Sequence, residues 1–255
     1  MDAAEFARQI AGSWAALDGL FQLGRTIISR TSLAIDTEYR DVALDPSSSY
    51  QEIYRAGLSR SFYNIILKDY SYFQFSRSGN EDWRLSYSPN PWLTGVPSAE
   101  RMLQELERRQ EAGELSDEQV GEFLAEFPYS GAVPPIRFEF SADQYREFSH
   151  PAAHFHIGRH TENRWPSSLA VGPLCFSMIV IKLYYPDVWC QKSSYSRGRP
   201  EGCVERQLLA ILERTAQVHQ FSVMERGSFH FGRHIVPAPN PPAPVARARS
   251  GRPRR

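Results

Sequence analysis

The chain has 255 residues, 42% of them hydrophobic and 13% aromatic, which is ample for a packed core and excludes a wholly disordered protein. Its 29 bases balance 29 acids, but no acid follows Glu225, while Arg247, Arg249, Arg252, Arg254 and Arg255 crowd the end; without those five, 24 bases face 29 acids. The three dispersed cysteines, Cys175, Cys190 and Cys203, fit reduced thiols rather than a disulfide framework or a sulfur-based zinc site, and the longest apolar run, 169–181, is too short to cross a bilayer.

The N-terminus, Met1-Asp2-Ala3-Ala4-Glu5, has no signal-peptide pattern, so a cytoplasmic location is expected. Phe6, Ile10, Trp14, Leu17 and Phe21 recur at helical spacing behind Asp2 as a cap. A second helix is predicted from Ser49, with Glu52 completing a capping box, through Ile53, Leu58 and Phe62 to Ile65. The period then changes to two. Tyr70–Phe75 and the alternating Trp83, Leu85 and Tyr87 flank Ser78-Gly79-Asn80, the pattern of a β-hairpin.

Helices are predicted over Ser98–Glu111, ended by Gly113, and over Ser116–Phe127, capped by Ser116 with Gln119 and stopped by Pro128. Strands follow at Pro135–Phe140 and Ala153–Arg159, then helices at Pro173–Tyr185 and Cys203–His219, and a last strand at Ser228–Val236. His219 is read as a helix C-terminal residue favoured by the dipole. Segregated helices and short strands imply an α+β fold: a single domain over 1–236, with a small, mostly antiparallel sheet flanked by helices. The Pro/Arg-rich tail over 237–255 is expected to be disordered.

All seven histidines lie between positions 150 and 234, and His156-Ile-Gly-Arg-His160 nearly repeats as His230-Phe-Gly-Arg-His234. On a strand, alternation turns Ala153, Phe155 and Ile157 to the core and His154, His156, Gly158 and His160 to the other face. Two such imidazoles suit general acid–base work on a phosphodiester, with arginine neutralising the phosphate. The arrangement resembles two-histidine phosphoesterases, but Gly158 and Gly232 stand where that pattern has Ser or Thr. His154 and His156 are also spaced to ligate one ion, as in the His-x-His of cupins with Glu162 as a following carboxylate, although the spacing departs from the cupin pattern. No phosphate loop, His-Glu-x-x-His helix or Gly-x-Ser-x-Gly elbow is present.

The stretches Tyr72–Ser76, Tyr87–Pro91, Arg137–Phe140, His150–Gly158, Arg164–Pro166 and Gly172–Phe176 with Leu183–Tyr185 resemble a bacterial family known as domain of unknown function 2290, over roughly residues 10–220. The resemblance implies a bacterial, single-domain protein and brings no activity with it. The order of strand, His-Pro and His-x-His is also similar to small histidine-rich toxins that attack RNA.

The expected function is therefore phosphodiester cleavage, with RNA as substrate, in a toxin- or defence-like role and as a metal-independent ribonuclease-type hydrolase. His154, His156 and His150 are the candidate catalytic imidazoles, Glu139 orients one of them, and Arg137, Arg164 and Arg159 bind phosphate. His230, Arg233 and His234 form a second candidate motif. No cofactor is expected, a divalent metal being the open alternative. Expected partners are RNA or another nucleic acid, or an operon-encoded protein, and no membrane. The competing expectation is a non-catalytic accessory protein with structural histidines.

Overall fold

Apolar side chains two apart in the middle of the chain build a seven-stranded antiparallel sheet whose strands lie side by side in chain order. A computed structural model describes residues 1–79, 82–92, 97–116, 119, 120, 122, 123, 133–159, 162–193, 204–219, 221 and 225. The strands are β1 (Gly24–Ile27), β2 (Ile65–Leu67), β3 (Tyr72–Ser78), β4 (Asp82–Ser88), β5 (Ile136–Phe140), β6 (Ala153–Ile157) and β7 (Trp165–Pro166). The helices are α1 (Ala3–Trp14), α2 (Thr37–Leu44), α3 (Tyr50–Ser59), α4 (Pro97–Glu111), α5 (Pro173–Tyr184), α6 (Pro186–Ser193) and α7 (Val204–Arg214). This is an α+β fold, with a larger sheet than the sequence led us to expect. Among the described residues no helix is long and apolar enough to cross a membrane.

Each face of the sheet follows from the register. Phe73, Leu85, Phe138 and Phe155 are fully or almost fully buried beneath α1 and α5. Phe6 and Ile10 of α1 and Phe176 and Ile181 of α5 close over them. Helix α5 is apolar on nearly every side, as a helix inside a core must be. On the opposite face, α3 brings Tyr54 onto Tyr72, ring centroids 5.3 Å apart, within a second cluster that includes Tyr63, Ile66 and Trp92. That cluster covers only β2 and β3, so β5 and β6 present polar residues on the same face.

Several boundaries move for identifiable reasons. Asp2 accepts from the Glu5 backbone N–H as expected, but after Trp14 the helix widens into a π-helical segment, Ala15–Leu20, which still buries Leu17. The Ser49–Glu52 capping box forms, but α3 stops at Ser59. Ser61 takes a left-handed φ of 51°, and the predicted end of that helix, Ile65, lies in β2. Helix α7 ends at Arg214 rather than at His219. The Thr215 hydroxyl donates to the Ile211 carbonyl, and the Val218 N–H reaches the Ser168 carbonyl, drawing the chain away from the helical path. His219 is thus past the helix rather than at its C-terminal cap. The Ser116–Gln119 capping box is formed in both directions. Much of the helix expected after it, the strand expected at 228–236 and the tail 237–255 lie outside the described residues.

Candidate active site

Cross-strand pairing assembles the polar residues on the face of β4, β5 and β6 opposite α1 and α5. Arg137 of β5 sits opposite Ser86 and His156, and Glu139 sits opposite Arg84 and His154. Directly opposed residues in an antiparallel pair have their Cβ atoms about 4.5–5.5 Å apart, so β5 and β6 alone suffice to bring Arg137, Glu139, His154 and His156 into one group. His154 Nε2 lies 4.0 Å from Glu139 Oε2. The His154 ring packs edge-on against His156 at a centroid distance of 4.7 Å and against His150 at 5.0 Å.

Glu139 divides its oxygens. Oε1 is 2.7 Å from Arg137 Nε and 2.9 Å from Arg84 Nε, which leaves Oε2 toward the imidazoles. Burial pushes the carboxyl pKa up, but Arg137 and then Arg84 outweigh it and hold the group below the ordinary carboxylate range. Desolvation lowers the pKa of Arg137, and Glu139 partly restores it. Arg84 was not anticipated from the sequence. The alternation of Trp83, Leu85 and Tyr87 already put Arg84 on the other face, but only the β4–β5 register puts it beside Glu139.

The imidazoles are covered: His154 is 1% and His156 3% exposed. His154 Nδ1 is 2.8 Å from the Pro151 carbonyl, whereas its Nε2 and both nitrogens of His156 have no hydrogen-bond partner among the described residues. Burial lowers the pKa of His154 to about 4 and of His156 to about 3, so both rings are neutral at neutral pH. Arg137 adds to the effect on His156, and Arg164 on all three rings. His150, half-buried on the loop before β6, has its pKa lowered chiefly by desolvation and then by Arg164. Among the described residues, Glu139, His154 and His156 are the group placed to hold a metal ion, with ligand atoms all within 4.8 Å of one another.

The sequence-predicted residues therefore divide. His154, His156, His150, Glu139, Arg137 and Arg164 come together. Arg159 does not join them: β6 ends at Ile157, and Gly158, at a φ of 83°, turns the chain so that Arg159 donates to the Pro46 carbonyl at 2.6 Å. Gly158 serves this left-handed turn. Glu162, the expected cupin-type carboxylate, is exposed and pairs with Arg164, and Glu139 takes the place beside the imidazoles. His160, His230, Arg233 and His234 lie outside the described residues.

No curated protein and no solved structure matches the chain. A family model does, over residues 26–232, a span that contains every residue of the cluster and extends to His230 but stops before Arg233 and His234. The chain belongs to that family, described as an uncharacterized conserved protein (DUF2290).

Proposed function

We propose that the protein cleaves phosphodiesters, with RNA as its substrate class. The supporting observation is the two-sided use of Glu139, which holds guanidinium groups at Oε1 and faces an imidazole lone pair at Oε2. Guanidinium is the side chain best shaped to grip a phosphate, and a lone pair beside it can take up a proton. Arg84 and Arg164 carry the basic row toward solvent, with side chains 60% and 26% exposed.

The contact between His154 and His156 leaves no space for a phosphate between the rings. A scheme with the two imidazoles on opposite sides of phosphorus does not fit, and one-sided activation does. RNA suits it because the 2′-hydroxyl is a nucleophile already attached beside the phosphate. The hydroxyl proton leaves toward His154 Nε2 as its oxygen bonds to phosphorus. The P–O5′ bond breaks, the 5′ oxygen takes a proton from water, the hydroxide so formed takes the proton back from His154, and a 2′,3′-cyclic phosphate remains.

Incubating the full chain with a labelled single-stranded RNA and the DNA of the same sequence tests this. RNA cleaved to cyclic-phosphate ends, intact DNA, and a loss of about 100-fold or more in His154→Ala with the fold retained are the expected results. An RNA left intact by the wild-type protein overturns the reading. The near-complete burial of His154 and His156 favours the second reading, an accessory protein with structural histidines. On that reading RNA is bound without being cut, and His154→Ala lowers the melting temperature sharply.

A further inference from the structure

We propose that Glu139, His154 and His156 hold one divalent cation of the zinc class, with a fourth position open to water or a phosphate oxygen. The proposal rests on the phosphodiesterase reading for its chemistry, but its geometry stands separately. His154 and His156 are two apart on β6 and so share a face, and Glu139 is directly opposite His154 on β5. Three side chains of the types that bind zinc are thus fixed by backbone pairing.

The surroundings orient these groups as ligands. A carbonyl can only accept, so the His154 Nδ1 beside Pro151 carries the proton, and Nε2 presents its lone pair to Glu139 Oε2. Two acceptors facing one another across 4.0 Å repel unless something positive lies between them. His154 is held by a backbone carbonyl, and Glu139 by Arg137 and Arg84 at its far oxygen; such outer contacts aim metal ligands. His156 is 3% exposed and has neither nitrogen bonded among the described residues, a costly state for a buried ring that serves no ligand.

The size also fits. A tetrahedral site with bonds of about 2.0–2.1 Å sets its ligand atoms about 3.3 Å apart. The three here lie within 4.8 Å of one another, a difference that small side-chain rotations close. Three protein ligands leave one position free, the pattern of a catalytic rather than a structural site. The ion adds positive charge beside Arg137, Arg84 and Arg164, which favours an anionic occupant of the fourth position, a phosphate oxygen or the hydroxide formed from a bound water. A water in that position would lose its proton near neutral pH, and the cation-bound hydroxide left behind would accept the 2′-hydroxyl proton that otherwise goes to Nε2, becoming water again.

The test is titration of the untagged, full-length, EDTA-stripped protein with Co²⁺ in the absence of RNA, followed by displacement with Zn²⁺. One Co²⁺ per chain, with the visible absorption of a four-coordinate ion that Zn²⁺ abolishes, is expected. Glu139→Gln and His156→Ala should each weaken binding at least tenfold. Circular dichroism separates lost binding from lost folding, and the near-isosteric Glu139→Gln covers the case in which His156→Ala does not fold. A wild-type chain that takes up no stoichiometric Co²⁺, or variants that bind it as tightly as wild type, overturn the proposal. RNA cleavage that persists in the stripped protein overturns the ion's part in the reaction while leaving the phosphodiesterase reading standing. Stoichiometric Co²⁺ binding without RNA cleavage under any metal supports the site and sinks that reading.

Discussion

His154 Nδ1 lies 2.8 Å from the Pro151 carbonyl, and this contact decides which nitrogen of the ring faces Glu139. Because the carbonyl fixes the proton on Nδ1, the working atom is Nε2. Asparagine and glutamine separate the two roles. His154→Asn places an amide N–H near the Nδ1 position and keeps the Pro151 bond, but it has nothing at Nε2. His154→Gln reaches the Nε2 position with an amide. We expect His154→Asn to fold, with a melting temperature within a few degrees of wild type, and to lose Co²⁺ binding. His154→Gln should retain weak binding. Equal binding by both variants would show that Nε2 is not the ligand atom.

The Arg137–Glu139 pair is half-buried, with side chains 32% and 16% exposed. Removing only the guanidinium leaves a carboxylate in a partly desolvated position with Arg84 as its remaining cation. Arg137→Met should cost about 2 kcal/mol, less than the 3–5 typical of a fully buried pair. Arg137→Met with Glu139→Gln should recover more than half of that, because no charge is then left without its partner. Chemical denaturation of the four proteins in the cycle measures this coupling. Strict additivity would mean the pair contributes no mutual stabilisation.

How much of this was legible depended on whether a residue's place follows from its own strand or from a partner's. Alternation within 153–157 was enough to put His154 and His156 on one face, and the same rule, applied to β5, gives Arg137 and Glu139 a common face. Arg84 needed the β4–β5 register, which no local pattern encodes. Strand alternation continued through Gly158 would turn Arg159 to the apolar face, so its place among the phosphate-binding arginines has no support in the period. The positive φ of Gly158 ends the strand and sends Arg159 elsewhere. The three-residue β2 and two-residue β7 are too short to show a period, and Ile65 was absorbed into the preceding helical pattern. Hydrophobic runs do not mark where a left-handed residue such as Ser61 breaks them.

The loop that delivers His150 and Pro151 is tied down by a distant carboxylate. Glu225 accepts from the Tyr145 hydroxyl at 2.7 Å and from the Phe148 backbone N–H at 2.8 Å. Phe148 is held at a φ of 60°, a conformation that bulky residues avoid. The Tyr145 phenol pKa is pushed up to about 12, first by the hydrogen bond to Glu225. Glu225→Ala should lower stability by about 1–2 kcal/mol and raise amide exchange across 143–150. Unchanged exchange in that segment would mean the loop holds itself.

A pH effect is expected from Asp69, whose buried carboxyl has its pKa raised by desolvation, against hydrogen bonds from Tyr185 and Ser71. The folded state thus binds the Asp69 proton more tightly than the unfolded state does. This group's contribution is fully present below the ordinary aspartate range and declines as the pH rises through its folded value. Asp69→Asn cannot ionise. The stability of wild type minus that of Asp69→Asn should therefore fall as the pH is raised from about 4 to about 8. Subtraction removes the carboxylates whose shifts run the other way, such as Glu139. A difference that stays flat across that range would show that Asp69 titrates alike in both states.

Two helical glycines should respond oppositely to alanine. Each substitution gains about 1 kcal/mol of helix propensity, so the surroundings decide the sign. In α3, a Cβ at Gly57 would overlap the Tyr72 hydroxyl and lie 2.8 Å from Tyr72 Cζ. Tyr72 cannot retreat: it is 0% exposed, its ring stacks on Tyr54, and its hydroxyl donates to the Tyr54 carbonyl at 3.2 Å. Gly57→Ala must move α3 away from the sheet, and overpacking of that kind costs about 1–3 kcal/mol, outweighing the propensity gain. In α1, a Cβ at Gly12 meets Leu174 Cδ2 at 3.4 Å, an ordinary contact, so Gly12→Ala should be neutral or raise the melting temperature. Melting curves of the two variants decide it. A Gly57→Ala protein as stable as wild type would mean that α3 does not seat on Tyr72, and the cover over β2 and β3 would have to be redrawn.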